Sequence, residues 1–170
     1  MSWDMQAFWC VIGALWGKKY LGYSFCWRGD RKCGLRAHPK SRDKFTRTLK
    51  HSSNGKGYQW LKEHLAQYIC GWATYYRLAD MKSFIVAAGM WYHRRLRMYI
   101  RKSWKRVRTR YANLQRCGIS KFYAWQWANT RKGYWHIADS WVLHRSITSM
   151  RLNCQGYPDI MNYYTKLHRR

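Results

Sequence analysis

The residues of this sequence most suited to chemistry are clustered cations that could bind phosphate groups. Positions 94–111, RRLRMYIRKSWKRVRTRY, carry only positive charges. A nucleic acid is the expected partner of such a cluster, because neutralising several phosphates at once releases condensed counterions. At about 100° per residue, the cations follow one side of a predicted helix and leave the other side apolar. We call this predicted phosphate-binding set the basic stripe: Arg94, Arg95, Arg97, Arg101, Lys102, Lys105, Arg106, Arg108 and Arg110.

An ordinary solvated helix face is the alternative interpretation of the basic stripe. Like charges three or four residues apart destabilise a helix, and no acidic residue between Asp80 and Asp139 relieves them. Solvated faces usually mix both signs of charge. The stripe therefore favours a polyanion, and Asp80 and Asp139 are expected to pair with nearby arginines rather than to act in catalysis.

A second candidate cluster for RNA binding follows at positions 129–134, where the sequence reads NTRKGY. Asn129, Arg131, Lys132 and Tyr134 offer groups that can bond phosphates, base edges or 2′-hydroxyls. Gly133 is expected to allow close approach of the backbone or a turn with positive φ. The alternative is an ordinary helix C-terminus, where basic residues favour the helix dipole and a glycine ends the helix.

The overall composition also favours a nucleic-acid partner. The chain has 33 Lys and Arg against seven Asp and Glu, a net charge of +26 and a pI near 10.3. Such a field attracts nucleic acid first and anionic membrane second. A hydrophobic content of 47% excludes a disordered basic tail. Trp125, Trp127 and Trp135 are expected in the core rather than as stacking platforms for bases.

The sequence offers no pattern typical of a catalytic or metal site. The seven acidic residues are isolated, whereas metal-assisted phosphoryl transfer needs clustered carboxylates. The six cysteines show no C-x2-C spacing, so neither a zinc site nor a disulfide framework is predicted. We expect no catalytic residue, metal, cofactor or small-molecule substrate, and reduced thiols in a cytoplasmic protein.

The apolar run AFWCVIGALW at positions 7–16 is too short to span a bilayer, which needs about 20 residues. Its flanks do not resemble a signal peptide. It could instead be a short buried strand or, backed by Lys18 and Lys19, an anchor at a membrane surface. A membrane-surface basic protein therefore stays open as an alternative function, although a membrane partner is not the one we expect.

Periodicity predicts the elements that carry these clusters. Alternating residues at 20–25 and a second run ending near Ala37 predict a β-hairpin that turns at Gly29 and Asp30. A helix is expected from Pro39 past Leu49, then a loop at 51–57, then a core-facing helix to about residue 80. The basic stripe is expected on the next helix, over 82–105.

Shorter helices are predicted after the basic stripe. One lies near 111–115 and ends at Gly118, and the next begins after Ser120 and runs to about residue 128. Two more are expected at about 140–149 and 157–168. The predicted fold class is mostly α with minor β, in which one hairpin precedes a helical bundle.

Several long motifs in this order resemble the maturase region of bacterial group II intron-encoded reverse transcriptases. They are GWATYYRLAD at 71–80, RRLRMYIRKSWKRVRTRYANL at 94–114, GIS at 118–120 and AWQWANTRKGYWHIA at 124–138. KYLGYSF at 19–25 and HPKS at 38–41 are similar to the junction between the palm and thumb of that family. The resemblance implies a thumb and maturase-specific (X) region that binds group II intron RNA, helps it fold for splicing, and remains bound to it for mobility into target DNA.

The resemblance also implies a division of the chain and a departure from the intact family. Residues 1–18 resemble nothing in the family, 19–56 match the palm-end hairpin and the start of the thumb, 57–140 the maturase-specific helical domain, and 141–170 the C-terminal helices. Fingers and palm are missing, including the Tyr-Ala-Asp-Asp motif, so the chain is expected to be truncated and not to be a polymerase. An inactive remnant, or a non-specific basic nucleic-acid-binding protein, is the alternative.

Overall fold

The computed structural model describes residues 17–27, 33–52 and 56–168. The apolar run at 7–16 and the expected turn at Gly29 and Asp30 lie outside the described residues. None of the helices described is long and apolar enough to cross a membrane.

The predicted hairpin is confirmed as β1 (Tyr23–Trp27) paired antiparallel with β2 (Cys33–Ala37). Its register places Cys26 opposite Gly34, and the thiols of Cys26 and Cys33 are free. Gly22 precedes the hairpin with φ of 85°, and a Cβ there would clash with the hydroxyl of Tyr76. Only glycine fits this position without strain, so the hairpin packs closely on the helix that ends beside it.

The rest of the described chain is helical, which confirms the predicted class. The helices are α1 (Pro39–Ser52), α2 (Tyr58–Tyr75), α3 (Lys82–Ser103), α4 (Val107–Arg116), α5 (Lys121–Ala128), α6 (Tyr134–Ile137), α7 (Trp141–Ser146), α8 (Ser149–Cys154) and α9 (Ile160–His168).

The core forms where α1, α2, α3 and α9 pack together. The spacing of three and four residues in α2 buries Leu61, Leu65 and Ile69, as predicted. Tyr164 of α9 closes one end of this core, because its hydroxyl donates to the carbonyl of Ala79 at 3.0 Å. The long helices α2 and α3 are thereby fixed against each other.

The helix that carries the basic stripe ends earlier than expected. α3 stops at Ser103, Trp104 has non-helical backbone angles (φ −81°, ψ 71°), and α4 begins at Val107. A single helical phase for 94–111 is therefore wrong. The half-buried indole of Trp104 packs against the core, and the break also avoids continuing a row of like charges along one helix.

The turn after α4 is confirmed. Gly118 has φ of 87°, its N–H donates to Gln115, and the N–H of Ile119 donates to the carbonyl of Leu114. These two hydrogen bonds form a Schellman motif, which pairs the last carbonyls of a helix and needs a residue with left-handed backbone angles. The C-terminal part is more divided than expected, because α6 and α8 are separate short helices.

Candidate nucleic-acid interface

The basic stripe divides into a buried part and an exposed part. Arg95, Arg97 and Arg101 are only 8%, 5% and 1% exposed. Arg94 and Arg110 are half-buried. The remaining members are exposed, and we call them the exposed basic segment: Lys102, Lys105, Arg106 and Arg108. The expectation that all the cations share one solvent-facing side of a helix is therefore wrong.

Each buried arginine donates to a backbone carbonyl at the C-terminal end of another helix. Arg95 donates to Lys50 in the last turn of α1, at 2.9 Å. Arg97 donates through Nε to Ile147, the C-cap residue of α7, at 3.2 Å. Arg101 donates to a carbonyl in the last turn of α5, at 2.8 Å.

Helix ends explain how so basic a chain can bury these charges. The last carbonyls of a helix have no partner within it and carry partial negative charge, so they attract a guanidinium group. Arg94, Arg110 and Arg151 use the same solution. They donate to carbonyls at the ends of other helices, at Trp135 for Arg94 (3.1 Å), Trp104 for Arg110 (2.8 Å), and Cys117 and Ser146 for Arg151 (3.2 and 2.7 Å).

Burial disfavours the charged form of these side chains. It lowers the pKa of Arg95 and of Arg97, and Asp139 opposes the shift at Arg97. Arg101 is affected most, because burial and then repulsion from Arg110 lower its pKa to about 10. All three guanidinium groups still carry a charge near neutral pH, so each carbonyl partner receives a charge-assisted hydrogen bond.

Arg94 has an acidic partner, as predicted for Asp139. The two side chains form an ion pair at 3.0 Å, and the guanidinium lies 4.3 Å from the ring centroid of Trp135. The Asp139 carboxylate also lies 3.3 Å from His144. Arg94 therefore joins α3 to the segment that follows α6, and its charge is already partly neutralised within the protein. The pairing expected for Asp80 stays a prediction.

The exposed basic segment lies where α3 ends and α4 begins. Lys102 is in the last turn of α3, Arg106 is the N-cap of α4, and Arg108 is in the first turn of α4. Cations at a helix N-terminus are unfavourable, and the first turn of α4 has no acidic residue. The cations and the first N–H groups of α4, which have no partner within the helix, together favour an external anion.

The second predicted cluster lies beside this helix end. Asn129 caps α5 and donates to the carbonyl of Trp125 at 2.9 Å. Arg131 and Lys132 are exposed in the connection to α6. Gly133 is the N-cap of α6 with φ of −59°, so the expected positive φ is wrong there.

Arg110 joins the two clusters. Its guanidinium donates to the hydroxyl of Tyr134 at 3.2 Å and lies 5.9 Å from the centroid of that ring. A pocket of about 620 Å³, which we call the arginine pocket, opens between them. It is lined by Arg101, Val107, Arg110, residues 129–134 and Ile137.

Two further basic surfaces escaped the sequence predictions. Lys40, Lys44 and Arg47 line a groove of about 690 Å³ on α1, and their helical spacing in the sequence was a usable signal. A second cavity of about 460 Å³ brings Lys62, Arg116 and other groups together from α2, α4 and the C-terminal helices. Its members are scattered along the chain, so no local pattern could have revealed it.

The tryptophans differ from the expectation that all three are core residues. Trp127 packs partly buried against the core, but Trp125 is 63% exposed and Trp135 is 37% exposed. Trp125 shares α5 with two more exposed aromatic residues, Phe122 and Tyr123. The residues that this helix buries are the small Ala124 and Ala128, whereas most of its large rings are exposed. A simple count of apolar residues cannot distinguish such a helix from a core helix.

Comparison with known families identifies the kind of domain that these basic helices form. Residues 38–118 match the family model described as "Group II intron, maturase-specific domain". The chain therefore carries a group II intron maturase-specific domain, as the motifs within that stretch predicted. No curated protein matches the chain. The matched domain is not a polymerase domain, and within the described residues no group of three or more His, Cys, Asp and Glu side chains could hold a metal ion.

Proposed function

We propose that this chain binds group II intron RNA through the exposed basic segment and the neighbouring residues at 129–134, and so assists splicing of that RNA. The domain indicates a role in group II intron splicing and an intron RNA partner in general. The observation that supports direct RNA binding is the concentration of exposed cations at the junction of α3 and α4, where no acidic residue lies between Asp80 and Asp139.

The division of the stripe sharpens the proposal. Arg95 and Arg97 are occupied by carbonyls, so their charges serve packing, and Arg101 also spends one of its donors on a carbonyl. Lys105 and Arg108 are exposed beside a helix N-terminus that repels them. Backbone phosphates would pair with both the cations and the first N–H groups of that helix.

The neighbouring residues favour RNA over DNA. Asn129 and Tyr134 carry groups that can bond 2′-hydroxyls and base edges, and these groups are accessible in RNA loops and bulges. Exposed aromatic rings on α5, such as Trp125, could stack on unpaired bases. Contacts to target DNA belong to this proposal as a secondary expectation.

The proposal predicts a steep salt dependence of RNA binding. With roughly six to ten phosphates engaged, affinity for intron RNA should fall by about 10³ to 10⁵ between 50 and 200 mM salt. Competition with unrelated RNA and with duplex DNA separates a maturase from a non-specific basic protein. Equal affinity for all three nucleic acids would favour the non-specific alternative.

A charge-matched pair of variants tests the location of the interface. The test variant carries Lys102→Gln, Lys105→Gln and Arg108→Gln. The control removes the same charge near the opposite end of α3, which is roughly 30 Å away for a helix of this length, with Arg77→Gln, Lys82→Gln and Lys166→Gln, all at exposed positions.

The test variant should bind RNA more weakly, and the slope of log K against log salt should become shallower by about 0.7 to 0.9 for each phosphate that is no longer bound. The control should keep the wild-type slope. Equal losses of affinity in the two variants would mean that net charge alone drives binding, and would overturn the proposed interface.

A further inference from the structure

The arginine pocket combines positive charge with an unsatisfied donor. Its charged lining residues, Arg101, Arg110, Arg131 and Lys132, are all positive. Arg131 and Lys132 are exposed at its rim, whereas Arg101 is 1% exposed. A solvated basic surface does not bury one of its charges in this way, so the pocket differs in kind from the exposed basic segment.

Arg101 is only partly satisfied within the protein. Its Nη2 donates to the carbonyl of Trp127 at 2.8 Å, but its Nη1 is buried without a hydrogen-bond partner among the described residues. Repulsion from Arg110 adds to the cost of burying the charge. A buried charge with an unused donor is costly unless an acceptor reaches it.

We propose that the arginine pocket is a binding site for one phosphate group of the RNA backbone. This proposal rests on the proposed function, and it names a single specific site within the interface. Arg131 and Lys132 attract the phosphate at the rim, Arg110 contacts it from the wall, and Arg101 supplies charge from the floor. A volume of about 620 Å³ also leaves room for part of the attached nucleotide.

The donor set favours phosphate over other anions. Three guanidinium groups line the pocket, and their planar forks match the paired oxygens of a phosphate. Arg110 already donates one of its bonds to the Tyr134 hydroxyl. A tyrosine hydroxyl is a weaker acceptor than an anionic oxygen, so a bound phosphate can replace this hydrogen bond with a stronger one.

Thermal unfolding in the presence of inorganic phosphate tests the site without RNA. The wild-type chain is titrated with phosphate against chloride at constant ionic strength. A rim variant carries Arg131→Gln and Lys132→Gln, and a control with the same charge loss carries Arg77→Gln and Lys82→Gln. Binding to the folded state alone raises the melting temperature and saturates.

The expected result is saturable stabilisation of the wild type and the control, with half-saturation at least tenfold higher in the rim variant. Arg101→Lys keeps the positive charge but loses the paired N–H donors of the guanidinium group, so it should also raise the half-saturation concentration. If Arg101→Lys fails to fold, the exposed rim variant still decides. Stabilisation that is equal in all variants, or that never saturates, would overturn the proposal that phosphate binds in the arginine pocket.

Intron RNA binding by the same variants identifies the source of the phosphate. A larger loss of affinity in the rim variant than in the control supports a backbone phosphate. Equal losses of RNA affinity in the two variants, together with saturable phosphate binding, would overturn the proposal that the phosphate belongs to RNA. The pocket would then be a site for free phosphate. If the wild-type chain binds phosphate saturably but does not bind intron RNA, the proposed function is wrong, whereas the arginine pocket is still a phosphate site.

Discussion

Replacing Arg97 with methionine should destabilise the fold and leave the RNA interface in place. Arg97 is a member of the basic stripe, but its side chain is 5% exposed. Its Nε donates to the carbonyl of Ile147, and its Nη1 lies 3.3 Å from Nε2 of His144. Methionine fills much of the same space without a donor, so the variant removes these bonds and little of the packing.

The expected cost follows from the acceptor that loses its donor. A hydrogen bond from a charged group contributes about 1.5–3 kcal/mol, and a buried carbonyl left unsatisfied costs about 1–3 kcal/mol. Removing a charge whose pKa burial already lowers offsets part of this loss. We expect a net loss of about 2–3 kcal/mol, which for a chain of this size lowers the melting temperature by about 4–12 °C.

Urea unfolding followed by circular dichroism measures this change, and Arg108→Met is the matched control. Arg108 is exposed, so its replacement should change stability by less than about 0.5 kcal/mol. For RNA binding we expect the opposite, with the larger effect in Arg108→Met. Arg108→Met should reduce the salt slope by the amount that corresponds to about one phosphate, whereas folded Arg97→Met should keep the slope.

Arg97→Met with wild-type stability and weakened RNA binding would refute this reasoning. Arg97 would then reach phosphate directly, and the carbonyl of Ile147 would have no structural importance. Loss of both properties at temperatures well below the melting point would also contradict the separation of roles.

Three further predictions concern the fold. Burial lowers the pKa of His93, whose Nε2 has no hydrogen-bond partner in the described chain, so the unfolded state binds the proton more readily. The free energy of unfolding should therefore fall as pH drops below the unfolded pKa of about 6.5. His93→Gln should flatten that pH dependence in urea titrations. Gly118→Ala should cost about 1–2 kcal/mol because φ is 87°, whereas Gly71→Ala inside α2 should stabilise the protein by about 0.5–1 kcal/mol. Tyr164→Phe should cost about 1–3 kcal/mol in thermal unfolding, because its buried hydroxyl bonds two backbone groups between α2 and α3. Tyr163→Phe should cost far less, because the hydroxyl of the half-buried Tyr163 forms only a solvent-exposed hydrogen bond, with Thr74.

The parts of the fold that the sequence predicted well are those with local signals. The spacing of Leu61, Leu65 and Ile69 defines a buried face by itself. The hairpin follows from alternation, and the turn at Gly118 follows from the one residue type that adopts its φ without strain. Short helices such as α6 were missed because four residues carry no periodic pattern.

The buried arginines could not be predicted in this way. A helical phase shows that Arg95, Arg97 and Arg101 share a side, but not whether that side faces water. Their acceptors lie 45, 50 and 26 positions away along the chain. Each acceptor is a backbone carbonyl, which every residue has, so no side-chain pattern identifies it. The four cations of the exposed basic segment could be predicted from the positive charge of the sequence alone.

A chain with few carboxylates must neutralise its buried cations by other means. Here the ends of helices supply the partial negative charge, and division into many short helices supplies many such ends. The same arginines therefore hold α1, α5 and α7 against α3. It follows that reversing the charge of Arg97 or Arg101 would unfold these contacts before it tested RNA binding. Substitutions of exposed cations such as Lys105 and Arg108 test the interface without this structural cost.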